Sequence, residues 1–226
     1  MKEFIKSKLN ESMVYEIIES YIEEDYPSNF DLEKFSNLTS FKKRVDYCEN
    51  YLKRISSGSG RIVYLVDDTK VLKLAKNARG IAQNKIEIEY SNYHDISDIT
   101  AKVFASNDNN LWVEMELAKK VTPAIFKQIT GFNWNDFVGV MENHYFRVNP
   151  QKAPRWHQDT ETTEIESKMW DDEFCYDMLS FMGNYDVPVG DLIRLNSYGV
   201  VNRNGSDAIV MVDYGLTNDV WQGYYS

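Results

Sequence analysis

The chain has 226 residues, 43% of them hydrophobic and 14% aromatic, which is ample material for a core and too much for a disordered polymer. A formal charge of −10 argues against a broad basic surface for nucleic acid, but it leaves room for a nucleotide held with a metal ion by a few local groups. Two cysteines, Cys48 and Cys175, make no disulfide framework and are expected reduced and buried, and the three histidines have no ligand spacing. With neither a signal-like apolar stretch at the start nor a window of about 18 apolar residues, the expectation is a cytoplasmic protein with no membrane partner.

Residues 1–55 read as helical. Val14, Ile17, Ile18, Tyr21 and Ile22 recur at spacings of three and four, and Tyr26-Pro27-Ser28-Asn29 breaks that helix. A second helical run carries Phe35, Leu38, Phe41, Val45, Cys48, Tyr51 and Leu52. Ser56-Ser57-Gly58-Ser59-Gly60 reads as a flexible turn. Residues 61–66 and 70–75 predict two strands around Asp67-Asp68-Thr69, with Lys70 and Lys73 on opposite faces. Residues 80–93 predict a helix, and residues 100–105 and 111–117 two further strands. Residues 118–188 read as mainly helical around an exposed polar loop at 151–166. Strands at 199–201 and 208–212 flank a turn at 202–206, and Asp213-Tyr214-Gly215-Leu216-Thr217 follows. The tryptophans read as core or rim residues, and the aromatic tail from Val220 to Tyr225 is expected to pack back on the body rather than anchor a partner.

Four features in this order carry chemistry. A glycine turn, Gly58-Ser59-Gly60, can aim backbone N–H groups at phosphate oxygens. Lys73 sits mid-strand, where burial demands an anionic partner, and the next helix offers Glu87 or Glu89. Asp191, Asn196 and Asp213 stand at or near strand ends, and hard oxygen donors of this kind suit Mg²⁺ with phosphates.

That order resembles the protein-kinase-like superfamily. Val71-Leu72-Lys73 is similar to the strand-lysine motif, Asp191-Leu192-Ile193-Arg194-Leu195-Asn196 to the catalytic loop, and Asp213-Tyr214-Gly215 to the metal-binding turn. Glu114-Met115-Glu116-Leu117-Ala118 falls where such proteins have the hinge between lobes. The segment from Arg61 to Ala75 and the Asp-Tyr-Gly turn also look like small kinase-like proteins encoded by tailed bacteriophages. The resemblance implies an α+β, two-lobed fold. It would comprise an N-terminal helical extension (1–55), an antiparallel-sheet N-lobe (56–117) and a truncated, mainly helical C-lobe (118–226). It implies ATP and Mg²⁺ as cofactors. Gly58, Ser59, Gly60, Lys73, Glu87, Glu116 and Ala118 would contact the nucleotide, Asp191 and Asn196 would be catalytic, and Asn196 and Asp213 would hold the metal.

The chain also departs from the pattern. The three glycine positions of the phosphate loop fall at Ser56, Gly58 and Arg61, so only one is glycine, and Arg61 reads more simply as a surface residue than as a phosphate contact. Val189-Gly190 stands where a histidine often precedes the catalytic aspartate. Eleven residues follow Gly215, so the helices that hold a peptide substrate are not expected, and acceptor contacts would come from residues 118–188, the N-terminal helices or a protein partner completing the lobe. Two readings result: an ATP- and Mg²⁺-dependent phosphotransferase on an unnamed acceptor, and a catalytically inactive kinase-like structural or interaction protein such as a bacteriophage virion component.

Overall fold

The computed structural model describes residues 26–155, 163–185 and 187–224. The helix expected before the Tyr26 break, Trp156 and the end of the aromatic tail lie outside them. The chain divides into two compact units, Met1–Lys53 and Arg54–Ser226.

In the first unit, α1 (Leu32–Ser36) and α2 (Phe41–Tyr51) replace the single helical run expected there. The break has a local cause. The Ser40 hydroxyl accepts from Lys43 N at 3.3 Å and starts a new helix, as a serine at an N-cap does. Phe30, Phe35, Tyr47 and Tyr51 pack their rings together. Buried Arg44 donates to the Leu38 carbonyl at 2.6 Å. Burial pushes the Cys48 thiol up to about 12, so it behaves as an apolar filler.

The exposed edge strand β1 (Lys53–Ser57) starts on the last residue of the first unit and runs into the second. Ser56 and Ser57 therefore belong to a strand and not to the expected turn. Next come β2 (Arg61–Leu65) and β3 (Lys70–Ala75), then α3 (Ala78–Tyr90), then β4 (Val103–Ser106) and β5 (Trp112–Glu116). The sheet order is β1-β2-β3-β5-β4, and β3 pairs antiparallel with β2 and with β5. Being central, β3 is buried along nearly its whole length, Lys73 included. The short strand β6 (Lys119–Lys120) leads into α4 (Pro123–Thr130) and α5 (Trp134–Val148), and α6 (Glu164–Trp170), α7 (Glu173–Asn184) and the single turn α8 (Val189–Leu192) follow. The hairpin β7 (Tyr198–Arg203) and β8 (Ser206–Met211) forms a small sheet with β6, and α9 (Asn218–Tyr224) ends the described chain.

One expectation fails in the helical region. Residues 164–166, the end of the expected exposed loop, open helix α6: Thr163 caps it through Glu166 N at 3.2 Å, and Glu166 is buried against Arg147 at 2.6 Å. Its acidic composition looked like solvent-facing sequence because the neutralising arginine lies on another helix. Phe126, Phe137, Met141, Phe181, Tyr198 and Val210 belong to one core, which Val71 and Met115 of the large sheet also join. The two parts are stitched directly. Ala101 N donates to the Met211 carbonyl at 2.9 Å, Met211 N to the Ile99 carbonyl at 2.7 Å, and the buried Tyr214 hydroxyl to the Ala101 carbonyl at 3.1 Å.

Candidate active site

Hairpin register decides what faces the cleft. Val63 lies opposite Lys73, and Arg61 opposite Ala75. Residues two apart on a strand share a face, so Arg61, Val63, Val71, Lys73 and Met115 all line one side of the sheet. Lys70 takes the other face, near Glu114 at 3.6 Å. Helix α3 crosses the cleft side and brings buried Glu87 to Lys73, whose Nζ donates to Oε1 at 3.0 Å and Oε2 at 3.1 Å. Glu89, the other candidate, is exposed. Lys73 also donates to the Val212 carbonyl at 2.5 Å, which ties the sheet to the segment carrying Asp213. Burial pulls the Lys73 ammonium below its ordinary value, and Glu87 opposes that pull.

Arg61 is the main correction. It is buried, not a surface residue. Its guanidinium pairs with Glu87 Oε2 at 2.7 Å, reaches Asn84 Oδ1 at 3.4 Å, and holds Asp213 Oδ1 with its other nitrogen. The signal was present in the sequence: once 61–66 and 70–75 are paired, Arg61 falls on the same face as Lys73, two residues along from Val63. Asn84, one helical turn before Glu87, was missed for the same reason.

The glycine turn is tied down rather than slack. Lys76 Nζ donates to the Gly58 carbonyl at 2.9 Å, Asn77 Nδ2 to the Ser59 carbonyl at 3.1 Å, and Gly58 N to the Arg61 carbonyl at 2.9 Å. A Cβ on Gly80 would overlap the Gly60 carbonyl, so the turn rests directly on the start of α3. Gly215 is equally constrained, because a Cβ there would overlap the Gln83 carbonyl.

These elements enclose a cleft of about 540 Å³, in the usual range for small-molecule sites. Its lining includes Gly58, Ser59, Gly60, Lys73, Glu116, Ala118, Asn196 and Asp213, with Val63, Val71, Met115, Leu117 and Val212 as apolar wall. The Glu116 carboxylate is occupied: it pairs with Arg203 through both oxygens and accepts from Lys102 N at 3.2 Å. Asp191 is not part of the lining. It sits in α8 with Arg194 at 3.3 Å, and its carboxyl is held above the ordinary carboxylate value by burial and by the charge of Asp213.

Asn196 and Asp213 present hard oxygens to the same cleft, the Asp213 side chain is 56% exposed, and the Asn196 amide has no hydrogen-bond partner among the described residues. One carboxylate and one amide oxygen on the wall of one cleft are donors that fit Mg²⁺. Among the described residues no group of three or more His, Cys, Asp and Glu is placed to hold a metal. The tail packs back in part: α9 lies against α3 with Val220 buried, while Trp221 and Tyr224 stay exposed. No helix among the described residues is long and apolar enough to cross a membrane.

A five-stranded sheet, a strand lysine locked to a helix glutamate and an Asp-Tyr-Gly turn behind them are the arrangement that the resemblance to the protein-kinase-like superfamily implies. No family model and no curated protein matches the chain. Among solved structures it is similar to ADP-bound aminoglycoside phosphotransferase APH(2'')-Ib, at 13% identity and TM-score 0.36, over 78% of this chain and 71% of that one. It is similar also to the streptomycin–ATP complex of APH(2'')-IIa, at 11% identity and TM-score 0.35, over 79% and 71%. A third is the GDP complex of aminoglycoside 2'-phosphotransferase-IIIa, at 12% identity and TM-score 0.36, over 73% and 66%. Values this low say nothing about an acceptor.

Proposed function

We propose that this chain is an ATP-dependent phosphotransferase. The observation that carries the reading is the convergence of Lys73–Glu87, Asn196 and Asp213 on one cleft. Val63, Val71, Met115 and Leu117 would take the adenine face. Lys73, fixed by Glu87, would bind the α- and β-phosphates. Asn196 and Asp213 would hold Mg²⁺, which when bound neutralises charge developing on the phosphates. Catalysis of this kind is mostly positioning and charge neutralisation. Asp191 would orient the acceptor hydroxyl and take its proton as the new P–O bond forms and the β–γ bridge breaks. Its raised pKa suits it to hold that proton for a moment.

Thermal melting with ATP and Mg²⁺, followed by a turnover assay on hydroxyl acceptors, tests the reading. A ligand at 100 times its Kd stabilises by about 2.7 kcal/mol, an easily seen shift. Lys73→Ala and Asp213→Ala should each abolish the shift. A wild-type protein whose melting ignores ATP at millimolar concentration would sink the proposal. The rival reading, a kinase-like module without chemistry, draws on one observation, the arginine already seated on Asp213.

A further inference from the structure

The charged groups at the back of the cleft balance without any added ion. Lys73 and Arg61 supply two positive charges, and Glu87 and Asp213 two negative ones. The Arg61 side chain is only 8% exposed, and one of its nitrogens spans from β2 to Asp213, which lies just beyond β8. In the arrangement that the sequence resembles, a glycine would occupy position 61, and the aspartate would be left for the metal. Here a guanidinium fills that role.

We propose that Arg61 is a built-in counter-cation for Asp213, a latch that a divalent metal ion must displace to use that carboxylate. The proposal rests on the reading of Asp213 as the metal carboxylate. Two features make displacement feasible. Arg61 keeps Glu87 at 2.7 Å and Asn84 at 3.4 Å when it lets go of Asp213, so release does not strand a buried charge. The freed nitrogen borders the same cleft, where a phosphate oxygen can replace the lost carboxylate, an exchange that suits a guanidinium fork. Metal and nucleotide then enter as a coupled pair: phosphate draws Arg61 away, and the metal takes Asp213. Each raises the affinity for the other by the same factor.

The test uses the full chain and Mn²⁺ alone as the probe, with binding followed by calorimetry and by thermal melting. Wild type should bind Mn²⁺ weakly without nucleotide. Arg61→Gln should bind it about tenfold more tightly, the equivalent of one charge-assisted hydrogen bond removed from competition. Adding Asp213→Asn to that variant should erase the gain. Lys73 still neutralises Glu87 in Arg61→Gln, which favours folding. Should it nevertheless fail to fold, Arg61→Lys keeps a positive charge on Glu87 but lacks a second nitrogen to reach Asp213, and its Mn²⁺ affinity should rise as well. An Mn²⁺ affinity equal to or below that of wild type in the folded variants overturns the latch. If wild type binds ATP with Mg²⁺ while the Arg61 variants show no gain, only the latch falls. A gain in Mn²⁺ affinity with no nucleotide binding by any form keeps the latch and removes the phosphotransferase reading.

Discussion

Glu87 answers to two cations at once, Lys73 through both oxygens and Arg61 through Oε2, and it is fully buried. Glu87→Ala leaves two adjacent buried positive charges and should cost about 3–5 kcal/mol in denaturant unfolding. Lys73→Met keeps the apolar stem and leaves Glu87 with Arg61, so its cost should be smaller, about 1–3 kcal/mol. Equal costs would mean that Arg61 contributes nothing to holding the carboxylate. Asp191 gives a pH signature. Its folded pKa lies above the ordinary 3.8 because of burial and Asp213, with exposed Arg194 opposing. Between the unfolded and folded values the native state holds a proton that the unfolded chain has released, so stability falls as pH rises through that window. Asp191→Asn should therefore raise the melting temperature near pH 7, leave it unchanged at about pH 3, and abolish phosphate transfer. A melting gain of the same size at both pH values would refute the assignment. At this scale motif spacing singled out Lys73, Asn196 and Asp213, which line one cleft, and Asp191, which lies outside that lining. Arg61 stayed hidden because its partners, Glu87 and Asp213, lie 26 and 152 residues away.

Among the elements, α3 does the most to organise the cleft. Asn77 caps it by accepting from Gly80 N at 3.2 Å, Gly80 seats the glycine turn, Asn84 and Glu87 face Arg61, and the Gln83 carbonyl abuts Gly215. Gly80→Ala would push a methyl into the Gly60 carbonyl and should cost about 1–3 kcal/mol while weakening nucleotide binding, since the turn must shift. Gly58→Ala meets nothing within 4 Å and should stay within about 0.5 kcal/mol of wild type. Urea unfolding of the pair decides it: a larger loss at Gly58 would show that the turn works by flexibility and not by its seat on α3. Strands β2 and β3 were legible from β-branched runs around a tight turn, and α3 from its apolar spacing. Helix α6 was not, because its acidic first turn is satisfied by its own Thr163 cap and by Arg147 from α5, and composition cannot report a tertiary partner.

At the scale of the whole second unit, sheet and helical region are joined by a handful of polar ties. They are Lys73 to Val212, Arg61 to Asp213, Tyr214 to Ala101, the ladder between Ala101 and Met211, and Arg203 to Glu116. None of these ties was foreshadowed by motif, and no local pattern marks Arg203, whose guanidinium reaches Glu116 and the Thr100 carbonyl from the far hairpin. That arginine supplies a test of how the parts cooperate. Its pair is mostly buried, with 16% and 14% of the two side chains exposed, so Arg203→Ala should cost about 1.5–3 kcal/mol as a charged hydrogen-bond pair is lost. If residues 54–226 unfold as one cooperative body, the loss appears everywhere: amide exchange in β3 and β8 should accelerate by the same factor. If the tie is merely local, exchange rises in β7 and β8 alone and β3 keeps its protection. Uniform acceleration is the expected result, because the strand that buries Lys73 and the strand that leads to Asp213 share a core through Val71, Met115 and Val210. A cleft whose two walls rise and fall together keeps Lys73 and Asp213 in register without help from the ligand.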